Sequence, residues 1–308
     1  MQHDIQYIKR TELDIIKWDD CIKKAENGLV YGYAWWLDVM ADNWDALVLN
    51  DYEAIMPLTW RKKYGFFYLY QPAFTANLGM FYKREACINI AAFLKVIPSH
   101  FRLWDISLNE MNLLNTDDYK GIQILSRKNM LISNQQTLTK PATSYARLAK
   151  RKLKLAAQNS IVVDRNGDME SAIAFYKQEY QHQHLSITQK DYDNLIKACT
   201  SAFTKGHSKC YISKRDNKIL GAYIILKDER YFYSLMGGST KDGKELGAFY
   251  MLTDAAIQDA AGEKCSFRFE GSDISGIEFF NSQFGVEIKH YMRLKLNKLP
   301  FPINLLKR

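Results

Sequence analysis

The segment YFYSLMGGSTKDGKELGAFYMLTDAAIQDA, residues 231–260, constrains the fold of this chain most. Its first six residues read as a strand, GGSTKDGKELG as a glycine-bearing loop, and 248–261 as a helix, with a further strand at 265–270. Strands and helices that alternate over such short spans must bury a sheet face under the helices. The rest of the second half continues the pattern. A helix capped by Ser144 runs to about 159, a strand follows at 161–164, and helices open at Asp168 and Thr188, the latter with Asp191 in a near capping box. Strands are expected at 210–214, 219–227 and 230–236, a short helix at 276–283, and final strands at 286–289 and 291–296. In the first half, helices are expected at 18–25 and 34–41. Strands at 44–48, 52–60, 64–70 and 79–82 follow, separated by turn signals at Asn50-Asp51, Lys62-Lys63 and Asn77. A helix at 84–97, carrying Ile88, Ala91, Ala92 and Leu94, and strands at 102–106 and 121–125 complete it. The expectation is an α/β chain (α+β mixed sheets) of two domains, 1–135 and 136–308, joined through the polar stretch 131–143.

Composition narrows the class. The 308 residues are 47% hydrophobic and 25% charged, ordinary for a globular protein, which excludes disordered and low-complexity chains. No apolar run approaches the ~18 residues of a membrane span, and the polar, acidic start does not read as a signal peptide, so a cytoplasmic location is expected. Cys21, Cys87, Cys199, Cys210 and Cys265 are scattered and odd in number, which predicts buried free thiols and neither a disulfide framework nor a metal site. Charge is unevenly shared. Residues 1–139 carry 15 Lys+Arg against 16 Asp+Glu, and 140–308 carry 27 against 18, so the net +8 belongs to the second half and an anionic partner should meet it.

Three groups of residues could carry chemistry. A helix opening near Gly247 would point N–H groups and its dipole at an anion, Lys241 and Lys244 add charge, and Gly247 lacks the Cβ that would obstruct a phosphate beside Ala248. The alternative is a glycine-rich connection with no ligand; neither a Walker loop nor GxGxxG is present. Lys140, Arg147, Lys150, Arg151, Lys152 and Lys154 occur with no acid before Asp164. Arg147, Lys150, Arg151 and Lys154 share one helical face, Leu148 and Leu155 another, so the stripe is either a solvated face or an anion-facing surface for a nucleotide phosphate, tRNA or acidic glycan precursor. No aromatic residue follows Tyr145 to stack bases. Glu270 ends a strand and could take a proton from an attacking amine, or serve as a turn carboxylate, a role that suits Asp273 better. His182 and His184 do not share a helical face and read as cations at a helix end. Tyr68, Tyr70, Gln71, Pro72, Phe74 and Thr75 form an aromatic-polar cluster, mostly core and turn.

The order strand, loop, helix, strand, helix, strand resembles the acyl-CoA-binding core of the GNAT N-acyltransferases, whose loop reads [QR]-x-x-G-x-[GA]. Lys244-Glu245-Leu246-Gly247-Ala248-Phe249 keeps the central glycine, with Lys244 for Gln/Arg and Phe249 for the last small residue. The chain is more closely similar to the Fem-type branch, cytoplasmic transferases with two GNAT-like domains that build peptidoglycan cross-bridges from aminoacyl-tRNA. RLAKRKLKLAAQNSIVV resembles that family's R-x-x-x-K-A-x-x-x-G-[IV]-x-[IV] entry to the second domain, GGSTKDGKELGAFYML its small-residue loop and helix, and FRFEGSDISGIEFFNSQFG its F-K-x-x-F-G segment, with Asn281 at the lysine position. IMPLTWRKKYGFFYLYQPAFTANLG resembles the first domain of Fem-like acyltransferases. The resemblance spans nearly the full length.

It implies two tandem GNAT-like domains transferring an acyl group from an acyl-CoA co-substrate to an amine, with no permanently bound cofactor. Two alternatives are an aminoacyl-tRNA-dependent peptidyltransferase acting on a peptidoglycan precursor, and a non-catalytic binding protein on the same fold. The donor would lie at 237–248 on Lys241, Lys244, Gly247 and Ala248. Arg147 and Arg151 would meet an anionic substrate, and the acceptor amine would enter a groove between the domains near Gln71 and Glu270. A backbone N–H of the strand before the loop would polarise the carbonyl. The tyrosine that GNAT enzymes place in the last short helix is replaced by Phe279, Phe280 and Asn281, leaving Tyr250 or water to protonate a thiolate. The helical hairpin of the classical Fem enzymes has no candidate segment.

Overall fold

The computed structural model describes residues 4–84, 86, 89–115, 121–135, 141–183, 187–271, 274–302 and 304. Cys87, Ile88, Lys140, His184, Ser272 and Asp273 lie outside the described residues. Two compact units form, Met1–Arg127 with His290–Arg308, and Lys128–Lys289.

The first unit contains β1 (Ile5–Lys9), α1 (Ile15–Lys24), α2 (Ala34–Met40), β2 (Trp44–Leu49), β3 (Ala54–Lys63), β4 (Phe66–Tyr70), β5 (Phe81–Tyr82), α3 (Ile90–Val96) and β6 (Phe101–Ser107). Strand β1 was not expected from the sequence. Strands β2, β3 and β4 form an antiparallel meander, and the chain then crosses through α3 to β6, parallel to β4. The β3–β4 turn falls at Tyr64-Gly65 rather than Lys62-Lys63, because both residues adopt positive φ, the two-residue hairpin geometry. Asp14 caps α1 at the N–H groups of Ile16 and Lys17, and Asn89 caps α3 at that of Ala92. Leu47, Leu58, Leu69, Trp104 and Phe93 make one core. Its edge is closed by the end of β13 (Glu287–Asn297), where Leu294 faces Ile106 and Leu296 faces Trp104. The expected second domain therefore loses its last residues to the first unit. Two buried leucines at strand period have their apolar partners there.

The second unit repeats this construction. Strands β9 (Ser208–Arg215), β10 (Lys218–Lys227) and β11 (Tyr231–Ser239) form a meander, and α8 (Ala248–Gly262) crosses to β12 (Ser266–Phe269), parallel to β11. The end of β7 (Gln123–Ile132) pairs with β12, and β8 (Val162–Asp164) with β9. Helices α4 (Arg147–Gln158), α5 (Met169–Tyr180), α6 (Gln189–Thr204), α7 (Lys241–Leu246) and α9 (Ser275–Ser282) complete it. Asp168 caps α5, and Thr188 with Asp191 forms the expected capping box of α6. Ser144 does not cap α4; Ala146 holds that position, and the Ser144 side chain lies against Gly285. The expected connection 131–143 begins inside β7, and the two expected last strands are one. No helix among the described residues is long and apolar enough to cross a membrane.

Helix α8 packs Leu252, Ala255, Ala256 and Ala260 on Tyr223, Phe232 and Phe267. Its polar side is tied by carboxylates. Tyr211 donates to Asp259 at 2.8 Å, Lys209 lies 3.1 Å from the same oxygen, Arg165 pairs with Asp259, and Tyr145 donates to Asp254 at 2.9 Å. Burial first, then the neighbouring carboxylate, pushes both phenols above their ordinary range. Tyr7 behaves likewise through burial and Asp45.

Two expectations follow. A phenol harder to ionise folded than unfolded gives stability that is complete below the unfolded value of about 10 and lost as pH rises beyond it. Urea unfolding between pH 8 and 11 should show that loss, reduced in Tyr145→Phe. The second concerns Gly79, at φ +95°, whose absent Cβ would meet the Asn112 amide that holds the Met80 N–H. Gly79→Ala should cost about 2–4 kcal/mol from strain plus overpacking, and Gly65→Ala, which meets open space, only about 1 kcal/mol.

Candidate active site

In the second unit β11 outlasts its parallel neighbour. Pairing runs from Tyr231 opposite Ser266 to Ser234 opposite Phe269, where β12 ends, while β11 continues to Ser239. Leu235 is an extra residue at this point, since Ile225 faces Ser234 and Ile224 faces Met236. Such a bulge re-aims a strand, and a gap opens beyond it.

The backbone edge along that gap is partly claimed. The Ser239 N–H donates to the Tyr180 hydroxyl at 3.0 Å, and that hydroxyl donates to the Ser239 carbonyl at 2.7 Å. Ser239 therefore turns its polar groups away from β10, and antiparallel alternation turns those of Gly237 the same way, into the gap. Both glycines are required by rings. A Cβ on Gly237 would strike Tyr223 and Phe249, and one on Gly238 would strike Tyr180. Tyr223, Phe249, Tyr250 and Phe280 form a chain of ring contacts at 4.8–5.1 Å.

Glu270 stands where β12 stops. Its Oε1 lies 3.4 Å from Arg268 Nε, and both side chains are largely buried, 11% and 6% exposed. The guanidinium lies 5.3 Å from the Tyr231 ring centroid. Burial, and secondarily the Glu270 charge, keeps the Tyr223 phenol protonated against the opposing Ser234 hydrogen bond.

The expected donor loop is mostly not a loop. Residues 237–239 belong to β11, and 241–246 form α7, capped by Thr240 on the Gly243 N–H at 3.0 Å. Gly247 joins α7 to α8 at φ +82° and donates its N–H to the Gly243 carbonyl. Its missing Cβ faces protein: that atom would lie 2.6 Å from the Lys152 carbonyl of α4. Lys152 Nζ also donates to the carbonyls of Glu245 at 2.7 Å and Lys244 at 3.2 Å. Ala248 is buried against Ala156, Ile161 and Leu220. The absent Cβ at Gly247 makes room for α4 and not for a phosphate. Lys241 and Lys244 are exposed, the Lys244 ammonium 5.1 Å from the Tyr180 ring.

On α4, Arg147, Lys150, Arg151 and Lys154 are all exposed, as the helical spacing predicts. Lys150 donates to the Thr143 carbonyl at 3.0 Å. Among the described residues no acid pairs with Arg147, Arg151 or Lys154.

Gln71 lies at the equivalent strand end of the first unit, but its amide is engaged. Nε2 donates to the Thr75 carbonyl at 2.9 Å, and Oε1 accepts the Ser107 N–H at 3.0 Å, stitching the end of β4 to that of β6. Gln71 positions this loop with one N–H and one lone pair of its amide. Sequence reasoning missed Tyr180 and Tyr223, signalled only by the adjacent glycines at the end of an aromatic strand, and read Lys152 as part of the basic stripe alone.

Residues 143–273 match the family model of the acetyltransferase (GNAT) domain. FemX is similar in structure, with TM-score 0.67 and 12% identity over 98% of this chain and 99% of that one. A tandem GNAT protein from the clavulanic acid biosynthesis pathway aligns at TM-score 0.57 and 10% identity, over 96% and 99%. The C-terminal domain of a putative lysylphosphatidylglycerol synthetase from Agrobacterium fabrum aligns at 0.58 and 10%, over 95% and 93%. A search of curated protein sequences finds no match.

Gly247→Ala should therefore destabilise the second unit by about 2–4 kcal/mol, combining strain at positive φ with the clash on Lys152. Lys152→Ala should cost about 1–2 kcal/mol through the lost carbonyl contacts. Urea denaturation checks both. A Gly247→Ala protein as stable as wild type would show that α4 does not need this glycine.

Proposed function

Because this chain folds as two tandem GNAT-like domains, the second a GNAT domain by sequence as well as by fold, we propose that it is an N-acyltransferase whose donor is an aminoacyl-tRNA. The observation that carries this reading is the exposed cationic face of α4, in a unit whose strand edge is claimed at Ser239 and whose glycine junction is occupied by protein. A CoA thioester presents an extended arm suited to pairing with a strand edge, and a pyrophosphate suited to a cradle of free amides. Tyr180 takes the edge at Ser239, and the Gly247 N–H is spent on Gly243. A tRNA instead spreads its phosphates over a surface and is held by side chains such as Arg147, Arg151 and Lys154. Acyl-CoA, the donor that the GNAT fold first brings to mind, is the competing reading.

In the proposed reaction the ester carbonyl of the donor lies in the gap beside β11. The Gly237 N–H stabilises its oxygen as negative charge develops. The acceptor amine attacks, forming the C–N bond. Glu270 takes the amine proton, directly or through one water, and returns it to the ribose oxygen as the C–O bond breaks. Arg268 fixes the carboxylate, and the aromatic chain of Tyr223, Phe249 and Phe280 keeps the gap apolar. The acceptor implied by the Fem-type resemblance is an amine on a peptidoglycan precursor.

Filter retention of charged tRNA over a salt series tests the donor. Wild type should bind, and Arg147→Ala/Arg151→Ala should bind at least tenfold more weakly, lower the log–log salt slope by about 2 and change stability by less than ~0.5 kcal/mol per site. Glu270→Gln should lower the transfer rate by about 10²–10⁴-fold while retaining tRNA. Calorimetric binding of a CoA thioester without tRNA retention would overturn the donor assignment. Binding of neither would favour a non-catalytic role.

A further inference from the structure

The first unit carries a cleft of about 600 Å³ that the transfer chemistry does not use. It opens where β4 and β6 begin, at Phe67 and Phe101, the end opposite the one stitched by Gln71. Its floor is aromatic: Tyr7, Trp60, Phe67 and His100 are all at least partly exposed. Beneath them Asp45 accepts from the Tyr7 hydroxyl at 2.6 Å, the Trp60 indole at 2.8 Å and the Arg10 N–H at 3.0 Å, which fixes the orientation of the floor. Its mouth mixes donors, Lys9, Arg10 and Thr11, with acceptors, Asp38, Asp42 and Asn43.

Three features select the ligand. The charges cancel, since Arg10 holds Asp38 through two hydrogen bonds, Arg61 pairs with Asp42 and Lys9 lies opposite Asp45 on the neighbouring strand, so no net charge calls for an ionic ligand. Two of the ring faces that could take an organic cation are already covered by the protein's own cations. Arg10 lies 5.2 Å from the Trp44 centroid and Lys62 Nζ 4.9 Å from that of Phe67. The rings also form no parallel slot for a planar base. Tyr7–His100, Trp60–Phe67 and Phe67–His100 are all edge-on, at interplanar angles of 80°, 63° and 74°. A neutral ring with one apolar face and a belt of hydroxyls fits what is left. Its C–H face lies on the aromatic floor, and its hydroxyls, each donor and acceptor at once, meet the donors and acceptors mixed around the mouth.

We infer that this cleft is a saccharide-binding site for a neutral pyranose, distinct from the acyl-transfer gap of the second unit. The assignment does not rest on the proposed transferase activity.

Tryptophan fluorescence of the full chain is the test, since Trp44 and Trp60 line the cleft. N-acetylglucosamine, glucose and cellobiose are titrated in parallel with choline and adenosine. At least one saccharide should give a saturable change with a dissociation constant of about 1 mM or tighter. Trp60→Leu should abolish it. Because that variant also removes a bond to Asp45, the exposed-rim changes Asn43→Ala and Thr11→Ala are the controls: each should weaken binding at least threefold with an unaltered unfolding curve. Saturation by choline or adenosine with none by a saccharide would overturn the assignment. So would failure of all three saccharides, or saccharide binding that the rim variants leave unchanged.

Discussion

The parting of β11 from β12 sets most of what the second unit can do. β11 runs on to Ser239 after β12 has ended at Phe269, so its outward N–H and C=O groups lose their strand partner. Buried backbone groups must be satisfied by something, and the Tyr180 hydroxyl satisfies both at Ser239. Gly237 is left facing the gap. The bulge at Leu235, the two glycines and the rings pressed on them all serve this one divergence. It leaves the Gly237 N–H facing the gap that opens where β12 stops and Glu270 stands.

A second constraint is the seating of α4 on the α7–α8 junction. The Lys152 carbonyl fills the space that Gly247 vacates, and the Lys152 ammonium holds the last carbonyls of α7. With its inner residues so occupied, α4 turns Arg147, Lys150, Arg151 and Lys154 outward. The same packing thus closes the glycine junction and displays a cationic stripe.

The two units share a construction and differ in its use. Each has a meander, a helical crossover and a parallel strand, flanked by a strand from outside its own meander–crossover core. In the first unit Gln71 bridges the ends of the parallel strands where the second unit leaves a gap. The first unit instead keeps an open aromatic floor at the other end of those strands.

Local chemistry was sufficient for much of this. Strand and helix periodicity gave the α/β class, Asp168 and Thr188 gave helix starts, and basic residues at helical spacing gave the exposed face of α4. Those features are fixed within a few residues by propensity, capping and amphipathicity. Glu270 was legible as a strand-end carboxylate, and its partner Arg268, two residues before it, falls on the same face by the period-two alternation of a strand. Gly247 was legible as a position that demands glycine, and the sequence does not say whether a ligand or a helix demands it. Residues distant along the chain decided the rest: Lys152 against Gly247, Tyr180 against Gly238 and Ser239, Gln71 against Ser107, and Leu294 and Leu296 against β6. Such partners are chosen by which surfaces meet when the sheet closes, and that is a property of the packed chain, because neighbours in sequence carry no information about contacts a hundred residues away.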